Sequence, residues 1–390
     1  MRQQAMQSGF AFSGNPVIFS EPAQPNKEVT GGRFDLWRGP ETIYSCKFSL
    51  PLYSLNLAEV IDGELAPIPL PDFKEGEWIS LASDFISRTI YILGEYDNAA
   101  DIESEDIVML RGRIPSALYR QLTAAGKDIF TERFLNPEAN FFLTTRTSGD
   151  IIEIPETEIY PLCFIVPKGG EIIVTTSFGN HRSGELSKGI YWLDLDALRR
   201  RIFMNYSGSR LPNVFNVRFA DSEKNIEVVI TRSEISLDRV RLRYRNSFDI
   251  PEVMAFTGKL TVKQSKEESQ DNEYLSYLPI SDDFRIDREE SRLKIELTLD
   301  TGPISPRDLP RLLEVVNSSD VALESPVDGS WIPVVVSAGD ISFPLRPETP
   351  ESFEITLRIS EDDLSVLDAL NPDDMPPLRL FTDEYNDKFS

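Results

Sequence analysis

Four segments of the chain alternate apolar and polar side chains so regularly that only one backbone suits them, an extended strand with one face on a core and the other in water. In the first two, Ile226, Val228 and Ile230 alternate with Glu227 and Thr231, and Val240, Leu242 and Tyr244 with Arg239, Arg241, Arg243 and Arg245. In the other two, Leu293, Ile295, Leu297 and Leu299 alternate with Lys294, Glu296 and Thr298, and Phe353, Ile355, Leu357 and Ile359 with Glu354, Thr356 and Arg358. Upstream, Arg33–Trp37, Ile43–Leu50, Thr89–Leu93, Val108–Gly112, Phe141–Thr145 and Glu171–Thr176 are further strand candidates, separated by Pro, Gly and Asp/Asn clusters. Helices are few and short. Ser116–Ala125 stops at Gly126, and Asp194–Met204 starts on acidic residues. A third runs from Ser305-Pro306-Arg307-Asp308 to about Asn317, and a fourth covers Leu364–Leu370 after Ser360-Glu361-Asp362-Asp363. The fold class is therefore mainly β with short helices, a β-rich α+β chain of antiparallel, sandwich-like domains.

At 390 residues the chain exceeds what one core usually supports. Pro155–Pro167, followed by Lys168-Gly169-Gly170, and the polar run Gln264–Asn272 mark the boundaries. They predict an N-terminal β-rich domain over 1–165 with an extended N-terminal arm, a middle β domain over 166–264, and a C-terminal sandwich-like domain over 265–390 with an acidic tail.

The 64 Asp and Glu against 40 Lys and Arg give a net charge of −24, which repels nucleic-acid and anionic-lipid phosphates. No stretch approaches twenty uninterrupted apolar residues, and the first thirty contain no signal-peptide core, so neither membrane insertion nor export is expected and assembly should begin in the cytoplasm. Cys46 and Cys163 make no disulfide framework and are expected as buried thiols.

Catalytic chemistry finds little material. His181 is the only histidine and lies in the turn-rich stretch Phe178–Gly184, where a solvated loop residue is expected; no G-x-S-x-G elbow accompanies it. Zinc would need most of three ligands that lie in distant segments. The acidic groups Asp282-Asp283, Glu361-Asp362-Asp363 and Asp373-Asp374 could offer oxygens to calcium, but they lack the EF-hand spacing and suit solvated turns and helix starts. Neither phosphate-cradling glycine motif is present. The chain is expected to be non-catalytic and to hold no cofactor.

Charge is nevertheless uneven. Residues 199–245 contain 11 Lys and Arg against 5 Asp and Glu, whereas 361–390 contain 9 Asp and Glu against 2 Lys and Arg. Arg239, Arg241, Arg243 and Arg245 share one strand face about 7 Å apart, which is unfavourable unless acids oppose them. Either cross-strand acids such as Glu227 and Glu234 solvate that face, or it forms an intersubunit contact with acids such as Asp373 and Asp374 of a neighbour.

Three motifs in order resemble tail-tip and distal-tail proteins of phages and prophages of Bacteroidetes. Phe12-Ser13-Gly14-Asn15-Pro16-Val17 is similar to the start of such proteins. Val240–Gly258 resembles their strand followed by an N-x-[FL]-G turn, with Asp249 where the family often has glycine. Leu309–Val336 resembles their helix and two following strands. The resemblance covers the first twenty residues and most of 225–360. It implies a structural subunit of a tail tip or baseplate, assembled in the host cytoplasm as a ring or trimer with other tail proteins, with no catalytic residues. The alternative is a glycan-binding or adhesive β-sandwich module at a cell surface, with Trp37, Trp78, Trp192 or Trp331 as sugar platforms.

Overall fold

The structure is a computed structural model. It describes residues 9–19, 31–49, 55–96, 102–103, 106–128, 130–135, 140–205, 211–232, 239–266, 273–280, 282–288, 293–306, 308–325, 329–338 and 352–359. The chain divides into two compact units, one of Met1–Ser233 with Asn246–Glu252, the other of Glu234–Arg245 with Val253–Ser390. The junctions expected at 165/166 and 264/265 fall within the strands Leu162–Val166 and Leu260–Lys266.

In the first unit, one sheet runs in the order Phe10–Phe12, Ile107–Leu110, Thr89–Tyr96, Gly31–Arg38, Glu41–Ser49, with Ile102–Glu103 beside Thr89–Tyr96. The pleat sends Phe34, Leu36, Ile90, Ile92, Ile107 and Met109 to one face, where α1 (Ala58–Glu64) closes the core with Ala58 and Ile61. Phe10, Phe12, Val108 and Leu110 enter a second core on the opposite face, where the Phe12 ring centre lies 4.5 Å from that of Phe130 and 5.6 Å from that of Phe248, both pairs tilted. Helix α1 had no sequence signal: Leu57 provides no side-chain cap, and the helix contains Val60, Ile61 and Gly63. Burial of Leu57 and Ile61 holds it, so tertiary packing overrides weak propensity.

A three-stranded sheet, Leu162–Val166, Gly189–Leu193 and Ile79–Ser83, forms a central layer. In Leu162–Val166 the pleat sends Leu162, Phe164 and Val166 into one core and Cys163 and Ile165 into another. This two-sided burial explains why the strand is continuously apolar. The first of those cores lies between this layer and a six-stranded sheet ordered Thr147–Ser148, Ile151–Pro155, Ile226–Thr231, Val214–Phe219, Gly170–Thr176, Gly179–Leu186. Leu198 and Ile202 of α3 (Leu195–Asn205) join it. Asp194 starts that helix by accepting hydrogen bonds from the amides of Asp196 and Ala197, both at 2.9 Å, as the acidic start in the sequence predicts. Helix α2 (Ser116–Ala124) ends before Gly126, whose φ of +69° is the left-handed conformation that glycine adopts without strain.

The second unit is built on one seven-stranded sheet ordered Pro251–Phe256 (its last four residues in this unit), Val240–Arg245, Val321–Glu324, Trp331–Ala338, Glu354–Ile359, Leu293–Asp300, Leu260–Lys266. Leu242, Tyr244, Leu323, Val334, Leu357 and Leu297 bury against Leu312 and Val315 of α4 (Leu309–Asn317). Glu273–Leu278 and Asp283–Arg288 form a separate two-stranded hairpin.

The β-rich α+β class and the four alternating strands match the sequence reading, with two corrections. Ile226–Thr231, expected to have antiparallel partners, pairs parallel with Ile151–Pro155, and Phe10–Phe12, where no strand was expected, pairs parallel with Ile107–Leu110. Phe141–Thr145 is not a strand and makes only the isolated bridge Phe142 to Phe164. Asn140 Oδ1 accepts the Phe142 amide at 3.0 Å and Thr144 Oγ1 the Arg146 amide at 3.2 Å, so local side-chain acceptors take donors that a ladder would use. The helix expected over Leu364–Leu370 lies outside the described residues.

Candidate functional site

The arginine face of Val240–Arg245 emerges on the outer side of the second unit's sheet, opposite buried Leu242 and Tyr244. Leu242 pairs with Leu323 and Arg243 with Ala322, and the next strand sets Trp331 beside Glu324. These registers place guanidinium, carboxylate and indole side by side. Arg241 is bonded to Glu324 through Nη1 and Oε1, and Arg245 Nε donates to Asp320 Oδ2 at 2.9 Å. Arg243 lies 5.1 Å from the Trp331 ring centre and Arg241 5.8 Å from it, both within cation–π range. The cross-strand acids are thus Glu324 and Asp320; Glu227 pairs with Asn216 in the first unit, and Glu234 lies outside the described residues. Among the described residues, Arg239, which is exposed, and Arg243 have no carboxylate partner. Asp373 and Asp374 lie outside the described residues. Pro333 and Val335, the latter 57% exposed, extend the face as an apolar margin.

The first unit contains a buried ionic knot that no local signal announced. Arg146 Nη1 donates to Glu158 at 2.6 Å and its Nε to Glu252 at 3.2 Å, all three side chains being at most 6% exposed. Thr144 Oγ1 and Asn246 Nδ2 donate to the other Glu252 oxygen at 2.7 and 2.8 Å. Asn246 Oδ1 accepts the amides of Phe248 and Ile250, shaping the turn that sets Phe248 beside Phe12. In that turn Asp249 has φ of +59°, the left-handed region where glycine is usual and aspartate tolerated. Near the amino terminus Asn15 exchanges two hydrogen bonds with the Ile114 backbone, at 2.9 and 3.2 Å, fixing the Phe12–Val17 stretch. Phe12 and Phe248 thus meet in one core.

His181 is on the strand Gly179–Leu186, paired with Val174, and not in a loop. Burial, with a contribution from Arg201, holds its imidazole pKa below the usual value. Of the two thiols, Cys163 is buried and its pKa is raised well above the ordinary value by desolvation, while Cys46 is only partly buried. Asp282 accepts from the Tyr277 hydroxyl at 2.6 Å in the hairpin turn. Among the described residues, no three His, Cys, Asp or Glu side chains gather as a metal site, and no helix is long and apolar enough to cross a membrane. Trp78 and Trp192 are core residues, whereas Trp37 and Trp331 are half-buried. No protein-family model and no curated protein matches this chain.

Proposed function

We propose that the protein is a non-enzymatic structural subunit of a phage tail tip or baseplate, joining copies of itself and other tail proteins between the tail tube and host-recognition components. The observation carrying this reading is the mixed ladder on the second unit's sheet. Arg241 and Arg245 are neutralised in cis, while Arg243 stands beside Trp331 and Arg239 is exposed at the start of the strand, neither with a carboxylate among the described residues. Arginine and tryptophan are the residue types over-represented at the energetic centres of protein interfaces. A strand face already half-satisfied by its own acids costs less to desolvate than four bare cations would. The acidic 361–390 segment of a neighbouring copy offers the complementary charge, through a heterologous, ring-closing contact.

Changing Arg239 and Arg243 together to Glu leaves both cis ion pairs in place. Light scattering of the purified protein in low salt is expected to show loss of the assembled species, with far-UV circular dichroism unchanged. Native assembly should also weaken as salt screens the contact. If the folded double variant assembles like the parent, the charge-mating reading fails.

A further inference from the structure

Resting on the reading of the second unit's outer sheet face as a contact between copies, we propose that the hairpin of Glu273–Leu278 and Asp283–Arg288 in one copy docks on the strip Trp331, Pro333 and Val335 of the next. The hairpin is an excursion between Leu260–Lys266 and Leu293–Asp300, whose ends Lys266 and Leu293 are paired, and among the described residues its two strands pair only with each other. A two-stranded hairpin with no sheet behind it is at best marginally stable in water. Its tip is nevertheless apolar: Ile280 is fully exposed, Phe284 61% and Tyr277 49% exposed. Three large side chains of this kind on one turn mark an interaction surface. Tyr277 and Phe284 are a cross-strand pair with ring centres 5.2 Å apart, and the Tyr277 hydroxyl donates to Asp282 across the turn. The tip is therefore shaped before it meets a partner and loses little conformational freedom on docking.

Charge and apolar pattern together identify the partner. Residues 267–290 contain 9 Asp and Glu against 2 Lys and Arg. Such a segment is repelled by an anionic bilayer and suits an apolar surface bordered by cations. The second unit presents one. Trp331, Pro333 and Val335 follow one another at two-residue spacing on the outer face of Trp331–Ala338, with Pro333 and Val335 exposed. Strand pairing borders this strip with arginines on both sides. On one side Trp331 faces Glu324, which is bonded to Arg241, and Pro333 faces Ala322, which faces Arg243. On the other Val335 faces exposed Arg358, with Glu296 on the strand beyond. An apolar tip with acidic flanks and an apolar strip with basic borders satisfy each other. The hairpin thereby covers the apolar side of the face, whereas the 361–390 segment supplies charge to its arginine side. Because tip and strip are different surfaces of one chain, the contact is head-to-tail, and repeated about an axis it closes a ring.

The test is sedimentation velocity of the full chain in low salt, near the midpoint of the parent's self-association, with the fold checked by far-UV circular dichroism. Ile280→Asp with Phe284→Asp in the hairpin, or Val335→Asp in the strip, should each weaken self-association about tenfold or more, the effect of losing the burial of a large apolar side chain. Ile280→Asp alone serves if the double variant misfolds. In an equal mixture the hairpin variant contributes an intact strip and the strip variant an intact hairpin, so a dimer is expected that neither forms alone. Assembly of the folded hairpin variant at native strength, or a mixture that stays monomeric, overturns the proposal. If the Arg239 and Arg243 double variant loses assembly while the hairpin variant keeps it, hairpin docking fails and the charge contact stands; a monomeric parent chain refutes both. Binding to phosphatidylcholine vesicles that the hairpin variant loses assigns the tip to a bilayer and likewise overturns the proposal.

Discussion

Replacing Arg146 by methionine tests whether the buried ionic knot is what secures Asn246–Glu252 within the first unit. Arg146 bridges Glu158 and Glu252, and its side chain is 4% exposed. Methionine fills much of the same volume but removes the cation that bridges two buried carboxylates. Breaking a buried pair by removing one partner costs about 3–5 kcal/mol. Against a typical domain stability of about 5–15 kcal/mol this is a large fraction. Glu252→Gln is the informative comparison. It leaves Arg146 with Glu158 and keeps an oxygen for Thr144 and Asn246, but turns an NH₂ group toward one set of donors, costing about 1–3 kcal/mol. Urea unfolding followed by tryptophan emission is a suitable assay, because Trp37, Trp78 and Trp192 lie in the first unit and only Trp331 in the second. With a slope of about 3 kcal/mol per molar urea, Arg146→Met should lower the first-unit midpoint by about 1–1.7 M, and Glu252→Gln by less. A midpoint for Arg146→Met within 0.2 M of the parent, taken as roughly the resolution of a slope of that size, would refute the reasoning. So would a larger loss for Glu252→Gln, since the cost is assigned to stranding two charges.

Two further expectations follow from single groups. Because the chain has one histidine, its imidazole protons can be followed alone by NMR. Burial holds the folded pKa below the unfolded value of about 6.5, so the His181 contribution to stability is present above that pH and is lost as pH falls toward the folded value; a midpoint at or above 6.5 would contradict the burial argument. Thiol titration of the native protein should label Cys46 promptly and Cys163 only on unfolding, since desolvation keeps Cys163 as the unreactive thiol; equal rates would place Cys163 at the surface.

Local signals made much of the fold legible. The alternation of Val240–Arg245 and Leu293–Asp300 identified strands and their buried faces, because a period of two leaves no other regular backbone. Asp194 and Gly126 marked helix ends because capping is settled within three or four residues. Motif order singled out Phe12–Val17 and the turn after Asn246, although not that Phe12 and Phe248 would share a core.

What the sequence by itself determined was therefore the β-rich class, the strand faces, the arginine ladder and the scarcity of catalytic groups. Only the tertiary structure decided which acids answer those arginines, since Glu324 and Asp320 lie some eighty positions downstream and are brought alongside by strand pairing. It also decided the two parallel pairings and the knot at Arg146. Each depends on registers between segments distant in the chain, and such registers are chosen by the summed burial of whole sheet faces, which leaves no mark at any single position.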